Sequence, residues 1–510
     1  MLEILDTTLR DGEQTAGVSF NANEKLAIAQ LLLEELRVDR IEVASARVSK
    51  GESEAISRIC AWADSRGLLD RVEVLGFVDG GVSVDWIAAC GGRVINILAK
   101  GSLKHLTTQL RKTPQEHVAD IAAEVAYARS KGMTCNIYLE DWSHGITESP
   151  EYVYELMDGL KSLDIRHFML PDTLGVFDPW STSEMCWKML RRYPELSFDF
   201  HAHNDYGFAV ANTMAAVRAG CTGVHTTVNG LGERSGNAPV ASVVAALSDM
   251  MPVKMRIDES KLTHVCKYVE SISGIRIPDN EPVVGENVFT QTSGVHADGD
   301  RKGSLYANLL LPERFGRVRQ YALGKMSGKA NIIENLDKLG ISLSPEQVKL
   351  VTQRVVELGD KKEMMTAEDL PFIVADVLKG GHSTSDNIQI VNYSLQLTKG
   401  MKPAAMLKVS IDGKEYETSS NGDGQYNAFM RALWKIYDRL GKKHPVLADY
   451  MVSIPPGGKT DALVATTIVW DMDGHEFKTR GIDSDQTEAA IKATVKMLNI
   501  IENLDLTTIK

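Results

Sequence analysis

The sequence predicts a (β/α)8 TIM barrel, then a helical linker region, then a C-terminal pseudo-symmetric α+β domain. Three observations lead there. Eight short apolar runs alternate with amphipathic helical stretches over about the first 250 residues, the pattern of a parallel sheet covered by helices. No G-x-G-x-x-G follows the first run, which disfavours an open doubly wound sheet. The last part of the chain repeats itself with a period of about 61 residues.

The first strand is expected over 3–11 (EILDTTLRD), the second over 40–45 (RIEVAS), the third over 71–78 (RVEVLGFV) and the fourth over 94–100 (VINILAK). The fifth is expected over 134–141 (TCNIYLED), the sixth over 167–173 (HFMLPDT), the seventh over 197–205 (SFDFHAHND) and the eighth over 223–230 (GVHTTVNG). Helices such as ANEKLAIAQLLLEELR (22–37) fill most of the gaps, so the barrel domain is set at 1–254. Residues 255–387 are the linker region, mainly helical and charged to 375 and closing on the turn-rich LKGGHSTSDN of 378–387. The C-terminal domain runs from 388 to 510. In it DGKEYETSS (412–420) precedes a helix from near Gln425, and DGHEFKTRG (473–481) precedes one from near Gln486. Both halves read as apolar strand, Asp-Gly turn, strand, acidic loop and helix. PPGGK (455–459) reads as a turn between strands.

Composition narrows the function. An apolar fraction of 44% with 24% charged residues is that of a globular protein with a large core. A formal net charge of −12 argues against a nucleic-acid partner, which wants a basic face, but leaves room for a small anionic substrate. No apolar run is long enough to cross a bilayer, and MLEILDTTLRDG enters structure without a secretory leader, so a membrane partner is not expected. Six cysteines (60, 90, 135, 186, 221 and 266) include no C-x-x-C pair, and read as reduced, mostly buried residues of a cytoplasmic protein.

In such barrels chemistry sits at the C-terminal ends of the strands. Those ends carry Arg10 and Asp11, Glu42, Tyr138 and Glu140, Asp172 and Thr173, then His201, His203, Asn204 and Asp205, with Asn237 closing GLGERSGN. Singly, each is as easily a surface residue; together they are hard to explain as packing. His201 and His203 stand two apart on a strand and so face the same way. With Asp11 they offer two imidazoles and a carboxylate, a set suited to a divalent metal (Mn, Zn or Mg) with open positions. Arg10 beside them can meet a carbonyl or carboxylate with a planar fork of donors. Metal and arginine together are equipped to polarise a 2-oxo acid and hold the alkoxide formed from it. GLGERSGN lacks the G-K-[ST] ending of a phosphate loop.

DTTLRDGEQ, HAHNDYG, NGLGERSGN and SGVHADG, in that order, resemble the 2-isopropylmalate, homocitrate and citramalate synthases of the DRE-TIM metallolyase superfamily. The likeness runs over nearly the whole chain. VDRIEVASARVSKGE, LPDTLGV, GVHADGDRKGSLYAN and IPPGGKTDALV most resemble the leptospiral type of citramalate synthase. The resemblance implies an acyltransferase using acetyl-CoA. It implies Asp11, His201 and His203 as metal ligands, Asn237 as a weaker fourth, Arg10 at the keto oxygen and Glu42 supporting the site. It also implies Thr173 at the 2-oxo acid carboxylate, Glu140 and His296 as the pair that deprotonates the acetyl methyl group, and Tyr306 as a supporting tyrosine. Taken alone, His296 is a polar loop residue. In relatives that histidine comes from the partner subunit, so a homodimer is implied. Ser304 stands where close relatives carry Asn.

Leu75, Leu98 and Tyr138 fall where the family lines the pocket around the substrate side chain. Two leucines and a tyrosine leave a small apolar space that suits the methyl group of pyruvate, although both leucines could equally be barrel core. Such a wall offers nothing to the second carboxylate of 2-oxoglutarate. 2-Isopropylmalate synthesis from 2-oxoisovalerate is the main alternative. An acyl-CoA lyase is disfavoured by the long tail, and a catalytically dead metal-holding regulator by the intact Arg10, Glu140 and His296. For a pyruvate-using enzyme the fitting effector of the C-terminal domain is isoleucine.

Overall fold

In the computed structural model, eight parallel strands close into a barrel in chain order: β1 (Glu3–Asp6), β2 (Arg40–Ser45), β3 (Val72–Phe77), β4 (Val94–Lys100), β5 (Thr134–Glu140), β6 (Ile165–Asp172), β7 (Phe198–Ala202) and β8 (Gly223–Thr226). β1 pairs with both β2 and β8, which closes the ring. Residues 1–303, 305–339, 341–360, 365, 370–378, 388–453 and 464–503 are described. Ser304, the turn-rich stretch from 379 to 387 and the PPGGK segment lie outside them.

The chain forms two compact units, Met1–Phe289 with Asn308–Val318, and Thr290–Ala307 with Arg319–Lys510. In the first, helices cover the barrel because the outward faces of the strands are apolar. Ile41 and Val43 of β2, Ile95 and Ile97 of β4, and Phe198 and Phe200 of β7 are buried in the main core. Helix Leu262–Ser273 packs into the same core through Val265, Cys266 and Val269. All six cysteines are free and buried, as expected. Among the described residues no helix is long and apolar enough to cross a membrane.

Where strands end differs from the sequence reading in an instructive way. β1 stops at Asp6 instead of running to 11. Asp6 Oδ1 accepts from Thr8 N (2.9 Å), while Arg10 N, Asp11 N and Gly12 N all turn back to Thr7 O. Polar side chains and short-range backbone bonds outcompete the ladder there. β7 ends at Ala202, one residue before His203, which forms an isolated bridge with Asn237. The helix expected over 22–37 is α-helical over Ala22–Gln30 and continues as a π-helix over Leu31–Leu36.

The second unit contains a short parallel pair, β9 (Thr290–Gln291) with β10 (Gln320–Tyr321), and helices Gly294–Arg301, Lys329–Lys338, Pro345–Asp360 and Leu370–Leu378. Beyond them in the chain lie two antiparallel three-stranded sheets, each followed by one helix. The first is β11 (Ile388–Gln396), β12 (Ala404–Ile411) and β13 (Lys414–Asn421) with helix Gln425–Arg439. The second is β14 (Val446–Ser453), β15 (Val464–Met472) and β16 (His475–Asp483) with helix Gln486–Asn503. The two predicted Asp-Gly turns are tight hairpins with both residues left-handed: Asp412 (φ 49) with Gly413 (φ 78), and Asp473 (φ 53) with Gly474 (φ 87). The repeat is real, and each half has one strand beyond the two that the repeat pattern named: β11 in the first and, in the second, β14, the strand that a turn at PPGGK implies. Both halves share one apolar core that includes Phe429, Leu433, Trp470 and Met497.

Candidate active site

A cavity of about 300 Å³ opens among the C-terminal ends of the barrel strands. Of the residues singled out from the sequence, Arg10, Asp11, Leu75, Leu98, Tyr138, Glu140, Thr173, His201 and His203 all line it. Gln14, Ser45, Phe77, Pro171 and Glu233 line it too and were not anticipated.

Asp11, His201 and His203 are each buried, and one donor atom from each lies within 4.8 Å of the others. His201 Nε2 stands 3.1 Å and His203 Nε2 3.8 Å from Asp11 Oδ2. Burial alone would raise the Asp11 carboxyl, but Arg10 and the two histidines hold it well below the usual carboxylate range. Burial, with His201 alongside, pushes His203 down to about 4, so this imidazole is neutral at pH 7 and has a ring nitrogen free to bind a cation. The hydrogen-bonding inventory has a gap: both Asp11 oxygens, Nδ1 of both histidines and Asn237 Oδ1 are buried with no hydrogen-bond partner. Orphaned polar atoms in one place are costly unless something else satisfies them. A carboxylate, two imidazoles and an amide oxygen fit a divalent cation. Asn237 Nδ2 is committed to Leu231 O (3.1 Å), which leaves Oδ1 as its free donor atom.

Arg10 reaches the cavity on a backbone turn and is gripped from behind. Its Nε and Nη2 meet Glu42 Oε2 at 2.7 and 2.6 Å, and Nη1 lies 3.4 Å from Asp11 Oδ2. Burial works against its charge, and Glu42 and Asp11 more than compensate. Glu42 is fully buried in β2 and also accepts from Asn96 Nδ2 (2.7 Å). Asn96 donates on to Glu73 Oε2 (2.9 Å), and Glu73 Oε1 takes Arg40 Nη1 (2.9 Å). Arg40 pairs in turn with Asp199. The barrel interior is therefore a polar chain running from the cavity inward.

The apolar wall is equally local. Leu5, Leu75, Leu98, Tyr138 and Met169 form a small cluster separate from the main core. The Tyr138 ring belongs to this wall, while its hydroxyl turns into the polar interior, 3.2 Å from Arg10 Nη2. Burial, reinforced by Glu42, holds the phenol well above its ordinary range, so it stays protonated. Glu140 ends β5 paired with Lys100 of β4, a partner not anticipated. Thr173 Oγ1 accepts from Asp141 N (3.0 Å), so its hydroxyl proton is available to a ligand. Asp141 is itself left-handed (φ 63) and tied to His144 Nδ1 at 2.8 Å.

His296 and Tyr306 belong to the second unit, where their rings lie 4.3 Å apart and His296 is exposed. Within that unit the structure brings these two rings together.

Three family models match in sequence along the chain: HMGL-like over residues 1–269, homocitrate synthase post-HMGL domain-like over 283–363, and the LeuA allosteric (dimerisation) domain over 364–502. A Methanopyrus kandleri protein provisionally named (R)-citramalate synthase CimA is 36% identical, over 91% of this chain and 88% of its own. A second protein of that organism, provisionally named 2-isopropylmalate synthase, is 34% identical over 98% of both chains. The (R)-citramalate synthase CimA of Methanocaldococcus jannaschii is 32% identical over 99% of this chain and all of its own. The motifs of the barrel rim, the three matched segments and these full-length relatives agree: the chain belongs to the HMGL-like family, in its branch of citramalate and 2-isopropylmalate synthases.

Proposed function

We propose that the protein is an acyltransferase that condenses acetyl-CoA with pyruvate to give (R)-citramalate and CoA. The observation that carries this reading is the small cavity whose lining combines Leu75, Leu98 and Tyr138 with Arg10, Thr173 and the Asp11–His201–His203 cluster. A methyl group fits the apolar wall, and the 2-oxo acid carboxylate fits the Thr173 hydroxyl. The keto oxygen falls to Arg10, which has a fork of donors already oriented by Glu42. A divalent ion on Asp11, His201 and His203, with Asn237 as a further donor, would add positive charge against that oxygen.

The acetyl methyl group is a poor acid, so its proton needs a placed base. We assign that step to His296, with Tyr306 beside it and Glu140 on the barrel rim, on the strength of the family resemblance. The carbon freed of its proton attacks the keto carbon, and the carbonyl electron pair moves to the oxygen beside Arg10, where it collects a proton. Water then cleaves the thioester, releasing CoA and the dicarboxylate product. The LeuA-type segment supports a homodimer and a regulatory role for residues 388–510, with 255–387 as the connecting region; for a pyruvate-using enzyme the fitting effector is isoleucine.

The relative named for 2-isopropylmalate synthesis, matched over 98% of both chains, keeps 2-oxoisovalerate as the second reading. Comparing kcat/KM for pyruvate, 2-oxobutyrate, 2-oxoisovalerate and 2-oxoglutarate decides between them. Pyruvate is expected to lead. A lead for 2-oxoisovalerate would make the protein a 2-isopropylmalate synthase.

A further inference from the structure

The Tyr138 hydroxyl sits at a branch point inside the barrel. It accepts from Arg10 Nη2 (3.2 Å) and faces two acceptors, Glu42 Oε2 at 3.3 Å and His225 Nδ1 at 3.1 Å. A phenol has one proton, so it can donate to only one of them. The choice matters to Arg10, because Glu42 Oε2 is the oxygen that also receives the Arg10 Nε and Nη2 protons.

His225, on β8, is buried and untouched by the condensation chemistry. Its Nε2 faces Asp199 Oδ2 at 3.5 Å, and its Nδ1 faces the tyrosine. Asp199 is fully buried and pairs with Arg40, while His167 Nδ1 approaches its other oxygen at 3.2 Å. At 3.5 Å the His225–Asp199 contact is an electrostatic approach and not a formed hydrogen bond. The carboxylate's charge still favours the imidazole proton on Nε2, which leaves Nδ1 as an acceptor. The tyrosine proton then goes to His225. Glu42 Oε2 is left to the guanidinium.

We infer that Asp199 and His225 are positioning residues, which draw the Tyr138 hydroxyl proton away from Glu42 and so fix the orientation in which Arg10 and the Tyr138 ring meet the 2-oxo acid. This rests on the reading that Arg10 holds the keto oxygen. The same relay sets the Tyr138 ring, which meets the His225 ring edge-on at 5.5 Å between centroids. Because Tyr138 is also pocket wall, one device fixes both the polar and the apolar side of the substrate.

The test compares wild type, Tyr138→Phe, His225→Leu, the double variant and His225→Asn, using whichever 2-oxo acid wild type turns over. KM for that acid, KM for acetyl-CoA and kcat are measured, together with bound metal and thermal unfolding. Each single loss should raise the 2-oxo acid KM roughly ten-fold, the scale of one broken buried hydrogen bond. Acetyl-CoA KM and metal content should hold. The double variant should be no worse than the worse single one, because both break the same chain. His225→Asn, whose amide oxygen can stand where Nδ1 stood, should recover most of the loss. If His225→Leu does not fold, Tyr138→Phe and His225→Asn must still show the loss and the recovery. Multiplying effects in the double variant, equal rises in both KM values, or loss of bound metal in His225→Leu would overturn the inference. A wild type that turns over no 2-oxo acid would instead overturn the functional reading, and this inference with it.

Discussion

At the scale of single residues, the site is built from groups that are expensive to bury and therefore must be answered. Asp11 Oδ1 and Nδ1 of His201 and His203 are buried without a hydrogen-bond partner, and that deficit is what points to a cation. His203→Ala should therefore lower bound metal, read by atomic emission, and cut turnover at least about a hundred-fold with the circular dichroism spectrum unchanged. The apolar wall makes a separate statement. Leu98→Ala should shift the kcat/KM ratio toward 2-oxobutyrate or 2-oxoisovalerate, by about ten- to two-hundred-fold, the worth of a methylene or so in such a pocket. These residues were legible in the sequence because H-x-H and R-D fall at strand ends, where side chains have no packing reason to be polar. Arg40, Glu73, Asn96, Asn136 and Asp199 were not, because each looked like an exception in an apolar run. Their signal was the spacing: Arg40 and Glu42, Asn136 and Tyr138, Asp199 and His201 stand two apart on the inward face.

Among the elements, β2 and β4 were found to the residue, since their apolar runs end abruptly in turn residues. β1, β7 and β8 were read too long. Polar residues follow each of them, and side-chain-to-backbone bonds such as Thr8 N to Asp6 Oδ1 end the ladder first. One contact makes the end of β4 sensitive to pH. Lys100 N donates to Nε2 of buried His117 on helix Pro114–Ser130 (3.0 Å), which ties that helix to the strand holding the partner of Glu140. Burial, with Lys112 nearby, pushes His117 down to about 4. The folded protein keeps it neutral down to that pH, while the unfolded chain takes up a proton near pH 6.5. Its contribution to stability is thus present above about pH 6.5 and is lost as pH falls toward 4, by about 3 kcal/mol. Urea unfolding at pH 7 and pH 4.5 should show a smaller loss on acidification in His117→Gln than in wild type. Equal losses would remove this contact from the account.

For the whole molecule, the barrel and the C-terminal repeat were legible because each rests on a local rule, strand-helix alternation in one and Asp-Gly hairpins in the other. The outer strand β11 was missed, and β14 was implied only by reading PPGGK as a turn between strands: many of their residues are at least partly exposed and mixed in polarity, so no apolar run marks them. The proposed isoleucine control demands a difference in effector affinity between active and inactive arrangements. A chain truncated after about Lys379, a residue outside those described, should keep its turnover and lose isoleucine inhibition; inhibition that survives truncation would place the effector elsewhere. The central claim is that this chain couples a metal-assisted 2-oxo acid to acetyl-CoA. Its most direct test follows free CoA release from acetyl-CoA by the chelated protein, with and without pyruvate, before and after manganese or zinc is restored. The account predicts release only when pyruvate and metal are both present, with citramalate formed in equal amount. Release without a 2-oxo acid, or release indifferent to metal, would contradict it.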